Sequence, residues 1–306
     1  MMIFGVCLKQ KLLQVAGPSQ TTINILTTTT SKIKSTCYTR SWNTTGITVA
    51  GSTTGTGGYI LNQLLAPFDL VIDSSFNIYI SDRINHRIVK WQQNATTGQL
   101  FAGDGTAANR RIQKFSLNST VTPVNGTTVI GNTSQLTRPI AVVLLFTSNS
   151  IQGIVFAGGN GNGSLLTQLN NPFDLFVDQN SSTIYIADTY NFRVVKWLKN
   201  ATTGVLIAGG YGQGGNASQL SNPSGIIVDQ NGTIYIADYI NSRIQEWPIN
   251  ATQGRTIAGS SNGTLGSTST LLYGTYNFRF DLNMNLYVVD SRNSRIQKYN
   301  VSHNSC

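Results

Sequence analysis

The sequence predicts an all-β protein folded as a β-propeller, a ring of four-stranded antiparallel blades. The stretch from Pro223 to Gly259 contains four short runs rich in Ile, Val, Tyr and Trp, with turn residues between them. Similar stretches recur along the chain. None of these segments has the i, i+3, i+4, i+7 spacing of an amphipathic helix, so the runs are predicted to be strands.

Each full unit is predicted to contain four strands, which we name a, b, c and d in chain order. The further copies span Pro67–Gly103, Pro172–Gly209 and Thr275–Ser302, and the last copy ends after strand c. A period of about 40–50 residues with four strands per period is typical of a β-propeller. Stacking the sheets in a ring buries the two apolar faces that each sheet would otherwise expose.

The copies predict regular blades near residues 68–103, 173–209, 224–259 and 276–299, the last with one borrowed strand. Residues 104–158 form an irregular sector, in which we predict strand c at 109–115, strand d at 127–132, strand a at 138–145 and another strand d at 151–158. The expected ring has about five blade equivalents, nominally six with two truncated. Residues 1–40 show no repeat and are predicted to be poorly ordered, so the propeller spans residues 41–306.

The final unit lacks strand d, whereas Ile47–Gly51 resembles a strand d that has no unit of its own. Trp42 before it matches the strand-c aromatic residue of a unit. We therefore expect the N-terminal strand to complete the last blade, which pairs an open edge. Such closure brings Cys37 and Cys306 within reach of a disulfide, as in an oxidising compartment; the alternative is two free thiols in unpaired tails.

The pattern P-x-G-I-x-V-D…I-Y-I-A-D-x-x-N-x-R-I-Q at Pro223–Gln245 resembles the NHL repeat. The resemblance implies a propeller, usually six-bladed, but no single function. NHL propellers occur in ubiquitin ligases, RNA-binding proteins, peptide-amidating lyases and extracellular proteins. The lyases are expected to hold zinc with histidines, and this chain has only His86 and His303. The sequence therefore predicts a protein that is not an enzyme, with no catalytic residue, metal site or cofactor.

Every full unit contains an Asp-x-x-Asn-x-Arg motif between strands b and c. This motif is interpreted as a turn in which Asp accepts backbone N–H groups and faces the Arg, rather than as a ring of surface charge. The Asp and Arg pairs are Asp82 and Arg87, Asp188 and Arg193, Asp238 and Arg243, and Asp290 and Arg295.

The net charge of +9 does not by itself predict nucleic-acid binding. Five basic residues and no acid lie in the first 40 residues, outside the repeats. Lys90, Lys114, Lys196 and Lys298 recur near the end of strand c, but Glu246 interrupts the series. Four lysines on separate blades make a weak stripe, so a nucleic-acid partner is disfavoured but remains open. No stretch approaches the roughly 18 apolar residues of a membrane span.

Asn-x-Ser/Thr sequons are unusually frequent, with thirteen in 306 residues. Three of them, at Asn94, Asn200 and Asn250, fall in the predicted c–d hairpins, where surface turns suit a glycan acceptor. Asn and Gly also suit the backbone of such turns. The excess favours an extracellular or secretory-lumen location. The start of the chain has no evident signal peptide, so the chain is expected to be unsecreted, an internal fragment or a sequence with a misassigned start, and the fragment is favoured.

We expect a binding module whose ring face holds a protein, peptide or glycan, because loops from all blades converge there. The alternative is an intracellular propeller that recognises substrates for a ubiquitin ligase or binds RNA. The candidate ligand-binding residues are Asp69, Arg83, His86, Asp174, Tyr190, Tyr239 and Arg292.

Overall fold

The computed structural model describes residues 38–103, 111–114, 127–131, 155–178 and 180–305. Within these ranges the chain is almost entirely strand and turn, with two single-turn 3-10 helices at Thr189–Asn191 and Ser291–Asn293. The strands are β1 Tyr38–Trp42, β2 Ile47–Gly51, β3 Leu70–Ile72, β4 Ile78–Asp82, β5 Arg87–Trp91, β6 Gln99–Ala102, β7 Arg111–Lys114, β8 Thr127–Gly131, β9 Asp174–Asp178, β10 Thr183–Asp188, β11 Arg193–Trp197, β12 Val205–Gly209, β13 Pro223–Val228, β14 Ile234–Asp238, β15 Arg243–Trp247, β16 Arg255–Gly259, β17 Thr275–Phe280, β18 Leu286–Asp290, β19 Arg295–Tyr299 and β20 Val301–Ser305.

Four four-stranded antiparallel sheets form regular blades in the described part of the chain. Blade I is β3-β4-β5-β6, blade II is β9-β10-β11-β12, blade III is β13-β14-β15-β16, and blade IV is β17-β18-β19-β2. In each blade, strand a carries the first label of the set and strand d the last. This architecture confirms the predicted all-β propeller.

The irregular sector contributes a two-stranded sheet, β7 paired with β8. These strands match the strand c and strand d predicted there. The pair also carries a register shift between Ile112 and Gln113, at the same place as the shift between Ile244 and Gln245 in blade III. The other strands predicted between 104 and 158 lie outside the described residues, except that 155–158 is described and contains no strand.

The N-terminal strand closes the last blade, as the sequence predicted. β2 pairs antiparallel with β19, from Arg295 opposite Gly51 to Lys298 opposite Ile47. Pairing continues past the blade, because β1 pairs with β20 from Trp42 opposite Val301 to Tyr38 opposite Ser305. Cys37 and Cys306, the predicted disulfide partners, lie outside the described residues.

The interpretation of Trp42 as a strand-c residue is wrong. Tyr299 already occupies the strand-c aromatic position of blade IV, and Trp42 lies in β1 instead. Its indole packs against Tyr235 of blade III at 6.0 Å and Phe280 of blade IV at 5.6 Å between ring centroids. Its Nε1 donates a hydrogen bond of 2.9 Å to the Met284 carbonyl. Trp42 therefore helps to join two blades.

The ring has two distinct sides because the strands within a blade alternate in direction. On the loop side lie the b–c turns and the long d–a loops between blades. On the hairpin side lie the a–b and c–d hairpins. In blades I to III, the Trp that ends strand c fastens the c–d hairpin through a hydrogen bond from its Nε1 to an Ala carbonyl, at 3.0, 2.9 and 2.9 Å.

Candidate functional site

The four Asp-x-x-Asn-x-Arg motifs lie on the loop side and form nearly identical buried networks. In blade III the Asp238 Oδ2 accepts hydrogen bonds from Asn241 Nδ2 at 2.8 Å and Arg243 Nε at 2.9 Å. Its Oδ1 accepts the backbone N–H of Ser221 at 2.6 Å. The equivalent ion pairs are Asp82–Arg87 at 2.8 Å, Asp188–Arg193 at 2.7 Å and Asp290–Arg295 at 2.7 Å.

The rest of each guanidinium group is used to fix a d–a loop. Arg243 Nη1 donates to the Gly215 carbonyl at 2.6 Å, and its Nη2 donates to Asn216 and Gln219 at 3.1 and 3.0 Å. The side chain is only 2% exposed. Burial raises the pKa of Asp238 despite the opposing effect of Arg243. Each motif therefore ties a b–c turn to the loop that enters the same blade, and its donors point inward.

A cluster of aromatic side chains from three blades lies on the same side of the ring. Phe68 of blade I packs against Phe173 of blade II at 5.5 Å and against Tyr276 of blade IV at 4.9 Å between ring centroids. Phe173 and Tyr276 are stacked at 5.8 Å, and Tyr239 of blade III stacks on Tyr276 at 4.4 Å. Rings 4.5–7 Å apart in such arrangements stabilise one another beyond their burial.

Two arginines from b–c turns lie over these rings. The guanidinium carbon of Arg83 is 5.9 Å from the Phe68 centroid and 5.6 Å from that of Tyr276. That of Arg292 is 5.6 Å from the Tyr239 centroid and 4.9 Å from that of Tyr273. We call these side chains the aromatic–arginine cluster: Phe68, Phe173, Tyr239, Tyr276, Arg83 and Arg292.

The surroundings of Tyr276 keep its phenol protonated beside the two arginines. Burial, followed by a hydrogen bond to the Tyr239 hydroxyl, raises the pKa of Tyr276 to about 12. The hydrogen bond that Arg292 Nη1 donates to the Tyr273 hydroxyl, at 3.0 Å, raises the pKa of the arginine. Tyr276 is therefore neutral and able to donate a hydrogen bond throughout the physiological pH range.

Asp69 and Asp174 adjoin the cluster but are buried in contacts between blades. Asp69 forms an ion pair with Arg279 of blade IV at 2.9 Å. Asp174 Oδ2 accepts the backbone N–H of Ile226 in blade III at 3.1 Å. Because each joins its own blade to another, these two candidate ligand-binding residues hold the inner strands together in this structure.

The remaining candidates lie apart from the stacked rings. Tyr190 is 54% exposed and is part of no ring pair among the described residues. His86 occupies the left-handed turn position of its motif with φ of 51°, where Phe192, Ser242 and Ser294 stand in the other blades. Of the sequence-predicted candidates, the structure therefore brings Arg83, Tyr239 and Arg292 into one cluster.

Sequence reasoning missed Phe68, Phe173 and Tyr276. All three occupy the second position of the segments Pro-Phe-Asp, Pro-Phe-Asp and Thr-Tyr-Asn that open their units, where blade III has Ser224. This recurrence was a usable signal, since the same position of three units contributes a ring to the cluster.

Lysines of strand c contact tyrosines of their own blades. The ammonium nitrogens of Lys90, Lys196 and Lys298 lie 5.5, 5.7 and 5.4 Å from the ring centroids of Tyr79, Tyr185 and Tyr287, the residues directly opposite on strand b. In blade III, Glu246 takes this position and pairs with Arg255. Each such lysine thus lies on its own blade, apart from the aromatic–arginine cluster.

A family model of the NHL repeat matches residues 220–247, which span the start of blade III through the end of its strand c. This segment is an NHL repeat. The match confirms the resemblance inferred from the motif of that blade. No curated protein matches the chain.

Solved structures with a similar fold share little sequence with this chain. A Bacteroides thetaiotaomicron protein of unknown function has a TM-score of 0.63 at 14% identity, covering 84% of this chain and 76% of its own. A luciferin-regenerating enzyme has a TM-score of 0.47 at 11% identity, covering 81% and 93%. A gluconolactonase from Xanthomonas campestris has a TM-score of 0.37 at 12% identity, covering 87% and 100%. At these identities the likeness concerns the fold alone.

The exclusion of enzymes that the sequence favoured has to be corrected. The solved structures matched above include two enzymes, the gluconolactonase and the luciferin-regenerating enzyme. A scarcity of histidines argues only against a histidine-rich zinc site, and other catalytic groups need no such site. A propeller fold does not by itself decide between a binding protein and an enzyme.

Two features are absent from the described residues. They contain no group of three or more His, Cys, Asp and Glu side chains placed to hold a metal ion. They also contain no helix long and apolar enough to cross a membrane.

Proposed function

We propose that this protein is a secreted, glycosylated binding propeller that holds a protein, peptide or glycan on its loop side. The observation that carries the proposal is the aromatic–arginine cluster. Side chains from blades I, II, III and IV meet there, so that one ligand contacts several blades at once. Aromatic residues and arginine are the side chains most enriched in the energetic centres of binding interfaces.

The polar partners of Arg83 and Arg292 distinguish them from the other arginines of the loop side. The arginines of the repeat motifs use their guanidinium groups on d–a loops. By contrast, Arg83 and Arg292 form no ion pair with any described residue. The cluster therefore offers both apolar area and cationic groups that the fold does not use for an ion pair.

The sequons support a secreted, glycosylated protein. Asn94, Asn200 and Asn250 are exposed, with φ of 63°, 63° and 62° in their c–d hairpins. Of the ten sequons within the described residues, seven lie on the hairpin side and three in d–a loops. Those on the hairpin side are Asn43, Asn94, Asn180, Asn200, Asn231, Asn250 and Asn300. Glycans there leave the aromatic–arginine cluster open.

Expression behind a heterologous secretion signal tests the glycosylation part of the proposal. We expect the secreted protein to lose apparent mass after treatment with a peptide N-glycosidase. Replacing Asn94, Asn200 and Asn250 by Gln together should remove part of this shift. An unchanged mobility of the folded, secreted protein would contradict the proposal and favour the intracellular adaptor or RNA-binding alternative.

Screening the purified protein against mixed peptide and glycan arrays tests the binding part. We expect specific binders whose signal falls at least tenfold in Tyr239→Ala. The matched control is Tyr211→Ala, since Tyr211 is 65% exposed in a d–a loop and belongs to no ring pair in the described structure. Binders that respond equally to both substitutions would place the ligand elsewhere.

A further inference from the structure

The aromatic–arginine cluster contains two cations that form no ion pair with any acid among the described residues. Arg83 and Arg292 are held over different rings of the cluster, Phe68 and Tyr276 for the first and Tyr239 and Tyr273 for the second. The stacked pair of Tyr239 and Tyr276 connects the two sites. Both guanidinium groups are therefore presented along one aromatic surface.

The nearby acids are already engaged. Asp69 pairs with Arg279, and Asp174 accepts the N–H of Ile226. Asp82 and Asp290, which precede the turns that carry Arg83 and Arg292, pair with Arg87 and Arg295. In the described structure no carboxylate is left to compensate either guanidinium group of the cluster.

Arg83 is also incompletely hydrogen-bonded. Its Nε is buried and has no acceptor among the described residues. A buried N–H without an acceptor costs free energy, which a ligand can recover when it supplies acceptor oxygens and reorients the side chain. Arginine is suited to carboxylates because its planar fork donates two parallel hydrogen bonds.

We infer that the ligand of this surface is an acidic peptide segment, whose carboxylates pair with Arg83 and Arg292 while its backbone and apolar atoms pack on the rings; this inference rests on the proposed binding function. RNA is less suited, because phosphate-backbone binding draws on many cations. The lysines of strand c lie instead over tyrosines of their own blades. Two guanidinium groups match a short run of carboxylates.

Fluorescence anisotropy with three labelled probes tests the inference: a hexaglutamate peptide, a hexaglutamine peptide and a uridine hexamer. We expect hexaglutamate to bind more tightly than hexaglutamine and the uridine hexamer, with an affinity that falls as salt is raised. The double variant Arg83→Gln, Arg292→Gln should weaken hexaglutamate binding at least tenfold.

The control is Arg255→Gln, which removes one arginine charge from the hairpin side, where Arg255 is exposed and paired with Glu246. Its affinity for hexaglutamate should match the wild type. Since Arg292 is exposed, the single variant Arg292→Gln keeps the test valid if the double variant fails to fold; a threefold or greater loss supports the inference.

The possible results separate the inference from the proposed function. Equal affinity for the three probes, tighter binding of the uridine hexamer, or equal losses in Arg255→Gln and the double variant would overturn the acidic-peptide inference. If neutral array ligands still required Tyr239, the proposed binding function would survive that result. If no ligand of any class required Tyr239, the acidic-peptide inference and the proposed binding function would both be contradicted.

Discussion

Blades III and IV have the same four-stranded sheet but are closed by different means. Blade III is one continuous stretch, and its c–d hairpin is fastened by the hydrogen bond from Trp247 Nε1 to the Ala251 carbonyl at 2.9 Å. In blade IV, strand d comes from the other end of the sequence, and no hairpin exists there. Tyr299 replaces the Trp, and its buried hydroxyl has no partner in the described structure.

Blade IV compensates with contacts that only the complete chain can make. Thr48 Oγ1 donates to Gln297 Oε1 at 2.8 Å, and the Asn43 N–H donates to the Asn300 carbonyl at 2.9 Å. Replacing a short hairpin by a loop of about 250 residues costs roughly 3 kcal/mol in loop-closure entropy. The comparison shows that the same four-stranded sheet can be formed by one continuous segment or by segments from both ends of the chain. The second arrangement has a higher entropic cost, so blade IV is expected to be the less stable part of the ring.

The largest expected effect follows from removing the borrowed strand. Deletion of residues 1–52 takes away β1 and β2 and leaves the edge of β19 open. We expect loss of a cooperative thermal transition and self-association in size-exclusion chromatography. Deletion of residues 1–36 keeps both strands and Cys37 and is the control. A monomeric, cooperatively melting 1–52 deletion would show that the ring does not need this closure.

The second prediction concerns a covalent link between the two ends of the chain. Cys37 and Cys306 each lie one residue beyond the last described pair, Tyr38 opposite Ser305, so we propose that they form a disulfide. The two thiols would give up two protons and two electrons to an oxidant such as oxidised glutathione. A loop this long predicts a stabilisation of roughly 5–6 kcal/mol in the chain-entropy model.

Urea unfolding of the oxidised protein with and without reductant measures this difference, and Cys37→Ser should behave like the reduced protein. Mass spectrometry of the secreted, unreduced protein checks the bond itself. Two free thiols there would end the proposal while leaving the strand closure intact.

The third prediction applies to both blades. Arg243→Ala should lower the free energy of unfolding by about 3–5 kcal/mol, because it leaves Asp238 buried without its cation. Arg255→Ala, which breaks an ion pair whose arginine is 52% exposed and whose glutamate is 11% exposed, should cost less, about 1–3 kcal/mol. Chemical denaturation compares the two. A similar, small cost for both would contradict the structural role of the repeat motif.

The smallest effect distinguishes the two blades most directly. Trp247→Phe should cost about 1–3 kcal/mol, because it removes the indole hydrogen bond and leaves a cavity. Tyr299→Phe should be neutral or slightly stabilising, since it removes a buried hydroxyl that has no partner in the described structure. Melting temperatures of the two variants suffice, and a larger loss in Tyr299→Phe would reveal a contact of that hydroxyl.

The repeat made the blades predictable, because each unit has the same order of apolar runs and turns. It also made the closure predictable, because the last unit lacks a strand d and an unassigned strand d is found near the N-terminus. The candidate site was only partly predictable. Arg83, Tyr239 and Arg292 stand at variable turn positions and were found as departures from the motif. Phe68, Phe173 and Tyr276 read as ordinary apolar positions, and only the ring brings them together.

The pairing of β2 with β19 also affects the order in which the protein folds during translation. Thr48 and its partner Gln297 are 249 residues apart. At translation rates of roughly 5–20 residues per second, β2 leaves the ribosome roughly 12–50 s before β19 exists. Blades I to III can form while the chain is still being made, whereas the first strand of the ring must stay unpaired until the last blade has been synthesised. During that interval its free edge is the part of the nascent protein most in need of a chaperone.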